Sequence, residues 1–200
     1  MKSEDERIKE RSVDSLQQIY TVVIALAISQ AIQNLLKDPS RGTLLDSHQI
    51  QAGLPPFVAF LFTLVPFWHG MNRHLDRCYL EKKSAVVQGG LLLDFAAFFI
   101  EASVLFAAAW SLRSGIASFV YLGALLFVDM LWALIAHQIH FRDQKSHALK
   151  WSAINVVAIF VATLIVAYPF QSKATVLMAV AIFRSIADYW ICRDFYFPGH

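Results

Sequence analysis

Charge is scarce in this sequence. Only 16% of its 200 residues are Asp, Glu, Lys or Arg, whereas 57% are hydrophobic and the mean hydropathy is +0.50. A soluble domain has about 25% charged residues. The composition therefore predicts a membrane protein, and the chain is long enough for about six spans of about 20 residues each.

The sequence also lacks the features of several functional classes. The net charge is only +2, and no basic run with interleaved aromatic residues is present, which excludes nucleic-acid binding. There are only 8 Gly, and we find no phosphate-binding Gly loop, no G-x-S-x-G and no H-E-x-x-H, so no enzymatic activity and no cofactor is predicted. Cys78 and Cys192 both fall on the predicted cytoplasmic side, where thiols stay reduced, so no disulfide is expected.

Six apolar stretches are long enough to cross a bilayer. They are Leu16–Leu36, Pro55–Met71, Gly89–Trp110, Ile116–His137, Trp151–Tyr168 and Ala174–Ile191. The connections include a polar loop that ends in a Pro pair and two tight turns, SLRSG and PFQSK. We therefore predict an all-α fold, a polytopic transmembrane helical bundle with six spans. The bundle occupies residues 16–191, between a charged segment at residues 1–15 and a short tail at residues 192–200.

The Lys and Arg residues are distributed unevenly between the two sides of the predicted bundle. Twelve of the 17 fall in residues 1–15, in the second and fourth connections and in the tail, whereas four fall on the other side. Basic residues accumulate on the cytoplasmic side of membrane proteins. We therefore predict a multi-pass protein of an inner membrane, with both termini cytoplasmic.

Five charged side chains lie inside the predicted spans and form the core of the candidate site. They are Asp94, Glu101, Asp129, Arg184 and Asp188. A charge near the centre of a bilayer costs about 2.5 to 3.5 kcal/mol on insertion scales, so such residues usually face the interior of a bundle and have partners. Most of them belong to the cytoplasmic half of the membrane. Glu101 is the deepest, roughly 18 Å along its helix.

Acids outnumber bases in this set. Arg184 and Asp188 are four residues apart on one helix and are expected to pair. Asp94 and Glu101 share one face of the third span, and the only other guanidinium near them is that of Arg73, at the end of the second span. Because burial disfavours a charged carboxylate, at least one is expected to be protonated at neutral pH or to hold a cation or water. Glu101 is the predicted titrating group.

Three further features have both a structural and a functional interpretation, and for each we prefer the structural one. Pro66 frees the carbonyl of Phe62, which is expected to be bonded by a neighbouring group at a packing kink, although an ion site would also use such an oxygen. The first span carries a small and polar stripe that suits helix packing more than pore lining: Gln18, Thr21, Ala25, Ser29 and Gln33. Five histidines near the inner face are interpreted as interfacial, and no metal site is assigned to them: His69, His74, His137, His140 and His147.

Two functions remain open. In the first, the buried carboxylates conduct protons or small cations in a transporter or channel-like subunit, and Arg184 tunes Glu101 and Asp129. In the second, the same charges join helices in a non-catalytic membrane subunit or scaffold that docks a cytoplasmic or membrane partner. The excess of acids favours transport, because a structural network would be nearer to charge balance. Both functions require the lipid bilayer, and a homo-oligomer suits either.

Overall fold

The computed structural model describes residues 4–37, 42–81, 90–140, 147–169 and 171–198. Its long helices are α1 (Glu4–Leu36), α2 (Ser47–Leu75), α3 (Gly90–Trp110), α4 (Ile116–His140), α5 (His147–Ala167) and α6 (Lys173–Ile191), and one turn of helix, α7 (Arg193–Tyr196), follows. Six helices are long and apolar enough to cross a membrane. The predicted all-α bundle of six spans is therefore confirmed, and the described ranges contain no strand.

Most of the outer surface of the bundle is apolar. Large side chains that point away from it are widely exposed, among them Phe99, Phe160 and Phe183, at 62%, 63% and 70%. The charged residues of the spans lie inside instead. An apolar exterior and a polar interior suit a bundle surrounded by lipid tails, where only helices and closed barrels satisfy their backbone groups. The chain is thus a multi-pass membrane protein, and the cytoplasmic location of its termini stays a prediction.

The six helices form a closed ring. Each packs mainly on two neighbours, in the order α1, α3, α4, α5, α6, α2 and back to α1. Helix α2 also contacts α3 and α4, so it leans towards the middle of the ring. The stripe on the first span lies on the exposed side of α1 and does not face the central space.

Both ends of the described chain meet at one end of the ring. The Lys9 ammonium of α1 lies 5.9 Å from the centroid of the Tyr79 ring. Tyr79 belongs to a π-helical segment, Asp76–Glu81, that continues α2. At the same end, Arg73 Nε donates to the Phe195 carbonyl oxygen of α7 at 3.2 Å. We call this end the terminal face, and the half of the bundle next to it the terminal half.

Helix α2 begins earlier than the Pro pair at which the second span is predicted to start. Asp46 accepts a hydrogen bond from the backbone N–H of Gln49 at 2.8 Å, and the Gln49 side chain accepts one from the backbone N–H of Asp46 at 3.4 Å. This reciprocal pair is a capping box, which fixes a helix start. The helix therefore begins at Ser47 and includes both prolines.

The half of the bundle away from the terminal face is filled by small and aliphatic side chains, and we call it the apolar half. Its completely buried residues include Ala27, Ala31, Ala59, Phe60, Leu105, Ala108 and Leu125. Its polar side chains bond the backbone: the Asn34 amide donates to the carbonyl of Ala109 at 2.9 Å, and the Ser118 hydroxyl donates to that of Ala108 at 3.2 Å. Small side chains of this kind allow membrane helices to approach closely.

Candidate functional site

A cavity occupies the middle of the ring in the terminal half. Its volume is about 50 Å³, which is enough for a few water molecules because one water needs roughly 10 to 15 Å³ on this measure. Helices α2 to α7 contribute to its wall, whereas α1 does not. Four predicted site residues, Glu101, Asp129, Arg184 and Asp188, line this one cavity, together with His74, Arg77 and His147.

An asparagine joins the acid of α4 to the base of α6. The Asn155 amide nitrogen donates to Asp129 Oδ2 at 2.6 Å, and Asn155 Oδ1 accepts from two nitrogens of Arg184 at 3.1 and 2.8 Å. Only this amide orientation fits, because an ionised carboxylate can only accept and a guanidinium can only donate. Asn155 is completely buried. The neutral amide of Asn155 therefore connects Asp129 to Arg184.

The predicted contact between Arg184 and Asp188 is present. A terminal nitrogen of Arg184 lies 3.4 Å from Asp188 Oδ2, and the Tyr196 hydroxyl donates to the same oxygen at 3.1 Å. The guanidinium carbon also lies 5.4 Å from the centroid of the Phe67 ring. Arg184 thus already has a neutral acceptor, a carboxylate and an aromatic face around it.

Asp94 is held from the end of α2 and the π-helical segment. The Tyr79 hydroxyl donates to Asp94 Oδ2 at 2.6 Å, and His74 Nε2 lies 3.2 Å from the same oxygen. The Asp94 side chain has no solvent exposure, and His74 is 5% exposed. Among the described residues, His74 is therefore a basic side chain beside Asp94.

Arg73 is separated from these buried carboxylates. One of its terminal nitrogens lies 2.8 Å from Glu81 Oε1, and Glu81 is half exposed. The bond to the Phe195 carbonyl ties α2 to α7 at the terminal face. Among the described residues, Arg73 therefore makes no hydrogen bond or ion pair with Asp94, Glu101, Asp129 or Asp188.

Glu101 differs from Asp94, Asp129 and Asp188 because it accepts no hydrogen bond from a described side chain. The residue is 2% exposed, and Glu101 Oε1 has no hydrogen-bond partner among the described residues. Three rings, those of His74, Phe98 and Trp132, also line the cavity and meet one another edge to face, with centroids 6.0 to 6.4 Å apart. An isolated carboxylate ion in such surroundings is strongly disfavoured, so Glu101 requires a proton, water or a cation.

The short tail forms part of the cavity floor. Phe195 packs edge to face on Trp151, with ring centroids 4.5 Å apart, and both Phe195 and Tyr196 line the cavity. Cys192, next to them, is fully buried. Burial, and then the nearby Asp188 carboxylate, raise the pKa of Cys192 to about 12, so this thiol stays protonated at neutral pH. The tail is therefore packed against the site.

Several of these side chains were not among the predicted site residues. Asn155 could have been recognised from the sequence, because it is a single amide in an apolar span. Such a polar group is expected to bond to the charges that are predicted on other spans. His74 was grouped with the interfacial histidines. Tyr79 and Tyr196 lie beyond the predicted spans, where no spacing rule connects them to an acid.

Within the described part of the chain, no group of three or more His, Cys, Asp or Glu side chains is arranged to hold a metal ion. The side chain of His140, one of the five histidines, lies outside the described residues. His69 instead contacts an aromatic side chain, with its Nδ1 at 3.2 Å from the Tyr189 hydroxyl.

Comparisons with protein-family models, with curated proteins and with solved structures find no match to this chain. Its function has to be inferred from its own side chains.

Proposed function

We propose that this protein is a proton-linked membrane carrier in which Glu101 takes up and releases the proton. The observation that supports the proposal most is the setting of Glu101, a carboxyl group 2% exposed with one unbonded oxygen, in the wall of a cavity that has room for water. Intramembrane carboxylates in such settings are typical of proton and ion pathways.

The neighbouring charges support this role for Glu101 in particular. Asp94, Asp129 and Asp188 each accept at least one hydrogen bond from a side chain, so their negative charge is stabilised within the protein. Glu101 Oε1 has no such donor in the described ranges. A proton is the smallest group that satisfies it, and the cavity, which has room for water, offers a path by which the proton arrives.

A carrier fits better than an open channel. The residues that line the cavity all belong to the terminal half, and no described residue of the apolar half is among them. Conduction through a continuous pore requires polar or wet surfaces along the whole span. The cavity therefore lies nearer to the terminal face, and transfer to the other side requires the helices to move. Pro66, in the wall, interrupts α2 at the depth where such a movement would have to occur.

A second candidate function has its own support. Arg184, Asn155 and Asp129 link three different helices, which is the arrangement expected of structural connections between spans. In that case the protein is a non-catalytic membrane subunit or scaffold, and its role is to dock a cytoplasmic or membrane partner, or a second copy. Glu101 then contributes to stability and not to transport.

The Glu101→Gln variant separates the two functions. It keeps the shape of the side chain but removes the titrating group, so we expect proton flux driven by an imposed pH gradient to be abolished in reconstituted vesicles containing a pH-sensitive dye. The melting temperature in detergent should stay near that of the wild type. The matched control is Ser103→Ala, also on α3, whose hydroxyl is exposed and bonds only the Phe99 carbonyl of its own helix. Unchanged flux in Glu101→Gln, or a loss of stability as large as that of Arg184→Ala, would favour the scaffold.

A further inference from the structure

We propose that the cargo of the central cavity is a small organic ammonium ion, which exchanges with the proton on Glu101. This inference rests on the proposed function, since it names the ion that the carrier would move. It follows from the hydrogen bonds and ion contacts that the groups of the cavity wall already make.

The guanidinium of Arg184 in the cavity wall is largely engaged by protein groups. Two guanidinium nitrogens of Arg184 donate to Asn155, the third lies 3.4 Å from Asp188, and Phe67 covers one side.

Among the described residues of the wall, two carboxylate oxygens are buried acceptors without a hydrogen bond, Glu101 Oε1 and Asp188 Oδ1. The buried donors without one include Arg184 Nη1, which keeps its ion contact with Asp188, and the indole N–H groups of Trp132 and Trp151. A ligand that donates hydrogen bonds and carries positive charge complements the two carboxylate oxygens, whereas an anion would face the Glu101, Asp129 and Asp188 carboxylates.

A bare metal cation is a poor match for the same wall. Calcium takes six to eight oxygen ligands, and magnesium requires a near-ideal octahedron. The side-chain oxygens at the cavity belong to Glu101, Asp129, Asp188 and Tyr196, and in the last three an oxygen is already engaged in a hydrogen bond.

The carbonyl released by the proline adds no ligand for a metal. Pro66 removes the usual N–H partner of the Phe62 carbonyl, but the Ser185 hydroxyl of α6 donates to that oxygen at 2.5 Å. The expected packing kink with a bonded oxygen is therefore what the structure contains. A metal at this depth would have to displace Ser185 to use the carbonyl.

Aromatic surface makes up much of the remaining wall and favours an organic cation. Phe98 precedes Glu101 by one helical turn on α3, and Trp132 follows Asp129 by one turn on α4. Their rings meet edge to face at 6.4 Å. The negative face of an aromatic ring attracts an ammonium group, and its apolar surface packs on an alkyl substituent. The cavity volume of about 50 Å³ restricts the substituent to a small one.

Methylammonium is a suitable probe, because it combines three N–H donors with one methyl group. We expect isothermal titration of the detergent-solubilised wild-type protein to show saturable binding of methylammonium chloride. At equal ionic strength, sodium and potassium chloride should show none. Binding should weaken at least tenfold in Glu101→Gln and also in Trp132→Leu. The matched control, Trp110→Leu, removes a tryptophan that is 67% exposed at the opposite end of α3 and should bind like the wild type.

The inference is overturned if methylammonium does not bind saturably, if sodium binds equally well, or if both Glu101→Gln and Trp132→Leu bind like the wild type. Its failure is separable from that of the proposed function. Glu101-dependent proton flux without methylammonium binding would leave a proton carrier with another cargo. If methylammonium binding depends on Glu101 but proton flux does not, the binding site would be retained and the proton-linked carrier would be rejected.

Discussion

The terminal half and the apolar half of the bundle are built from the same helices but are held together differently. In the apolar half, alanine and leucine side chains fill the ring, and the polar groups bond the backbone. In the terminal half, charged and polar side chains from different helices form hydrogen bonds around a cavity. Lipid tails are as apolar as leucine, so helices in a membrane associate through close packing and polar contacts. The apolar half relies on close packing, and the terminal half relies on polar contacts.

The two halves therefore differ in what they can respond to. Close packing does not respond to protons or ligands, so the apolar half is suited to keep the ring closed. The hydrogen bonds of the terminal half involve groups that can gain or lose protons, and these groups border a cavity. Three kinds of substitution test this difference between the two halves.

Arg184→Ala should have the largest effect on stability. It leaves Asp188 and the Asn155–Asp129 pair buried without their guanidinium, and removal of one partner from a buried ion pair typically costs about 3 to 5 kcal/mol. We expect this loss in the free energy of unfolding, measured by denaturant titration in detergent micelles. Arg193→Ala is the control, since the Arg193 side chain is 72% exposed and pairs only at the surface with Asp194. Equal effects of the two variants would show that the terminal half does not depend on its buried charges.

Ala31→Leu tests the apolar half by overfilling it. Ala31 has no solvent exposure, and inserting methylene groups into a well-packed core costs about 1 to 3 kcal/mol. Ala25→Leu makes the same change on the exposed side of α1 and should be close to neutral. Proton flux per folded molecule should be unchanged in both variants. Reduced flux in Ala31→Leu at full folding would mean that the apolar half takes part in function.

The hydrogen bond from the Ser185 hydroxyl to the Phe62 carbonyl, which Pro66 leaves without its usual donor, lies between the two halves. Its loss should have the smallest effect on stability. Ser185→Ala leaves the Phe62 carbonyl without its donor, and hydrogen bonds between membrane helices contribute about 0.6 kcal/mol on average and up to about 1.7 kcal/mol. In a Pro66→Ala background, a restored backbone N–H bonds this carbonyl, so Ser185→Ala should cost less there. A double-mutant cycle on the free energy of unfolding measures the coupling. A coupling energy of zero would contradict the proposed role of the hydroxyl.

The features that could be predicted from the sequence are the local ones. Span length and apolar composition are enough to place six helices, and a spacing of four is enough to place Arg184 beside Asp188. The start of α2 was also within reach, because the Asp46–Gln49 capping box is visible in the letters DSHQ. The Pro pair indicates a later start, and that prediction was wrong.

The contacts between distant helices could not be predicted in the same way. Whether Asp94 meets Arg73 or His74 depends on how the end of α2 turns into its π-helical segment. The bridge through Asn155 depends on α5 lying between α4 and α6 in the ring. Hydropathy does not specify the order of helices around a ring, so these partners require the tertiary structure.

The position of α6 has a consequence for how the protein is made. This last long helix supplies Arg184 and closes the ring against α2, through a bond between residues 123 positions apart. A ribosome delivers Asp129 and its partner Asn155 to the membrane before it has synthesised that arginine. Until α6 arrives, the charge of Asp129 lacks its guanidinium, whereas Asp94 already has His74 and Tyr79 beside it. We therefore expect the assembly of the ring to end with the insertion of α6.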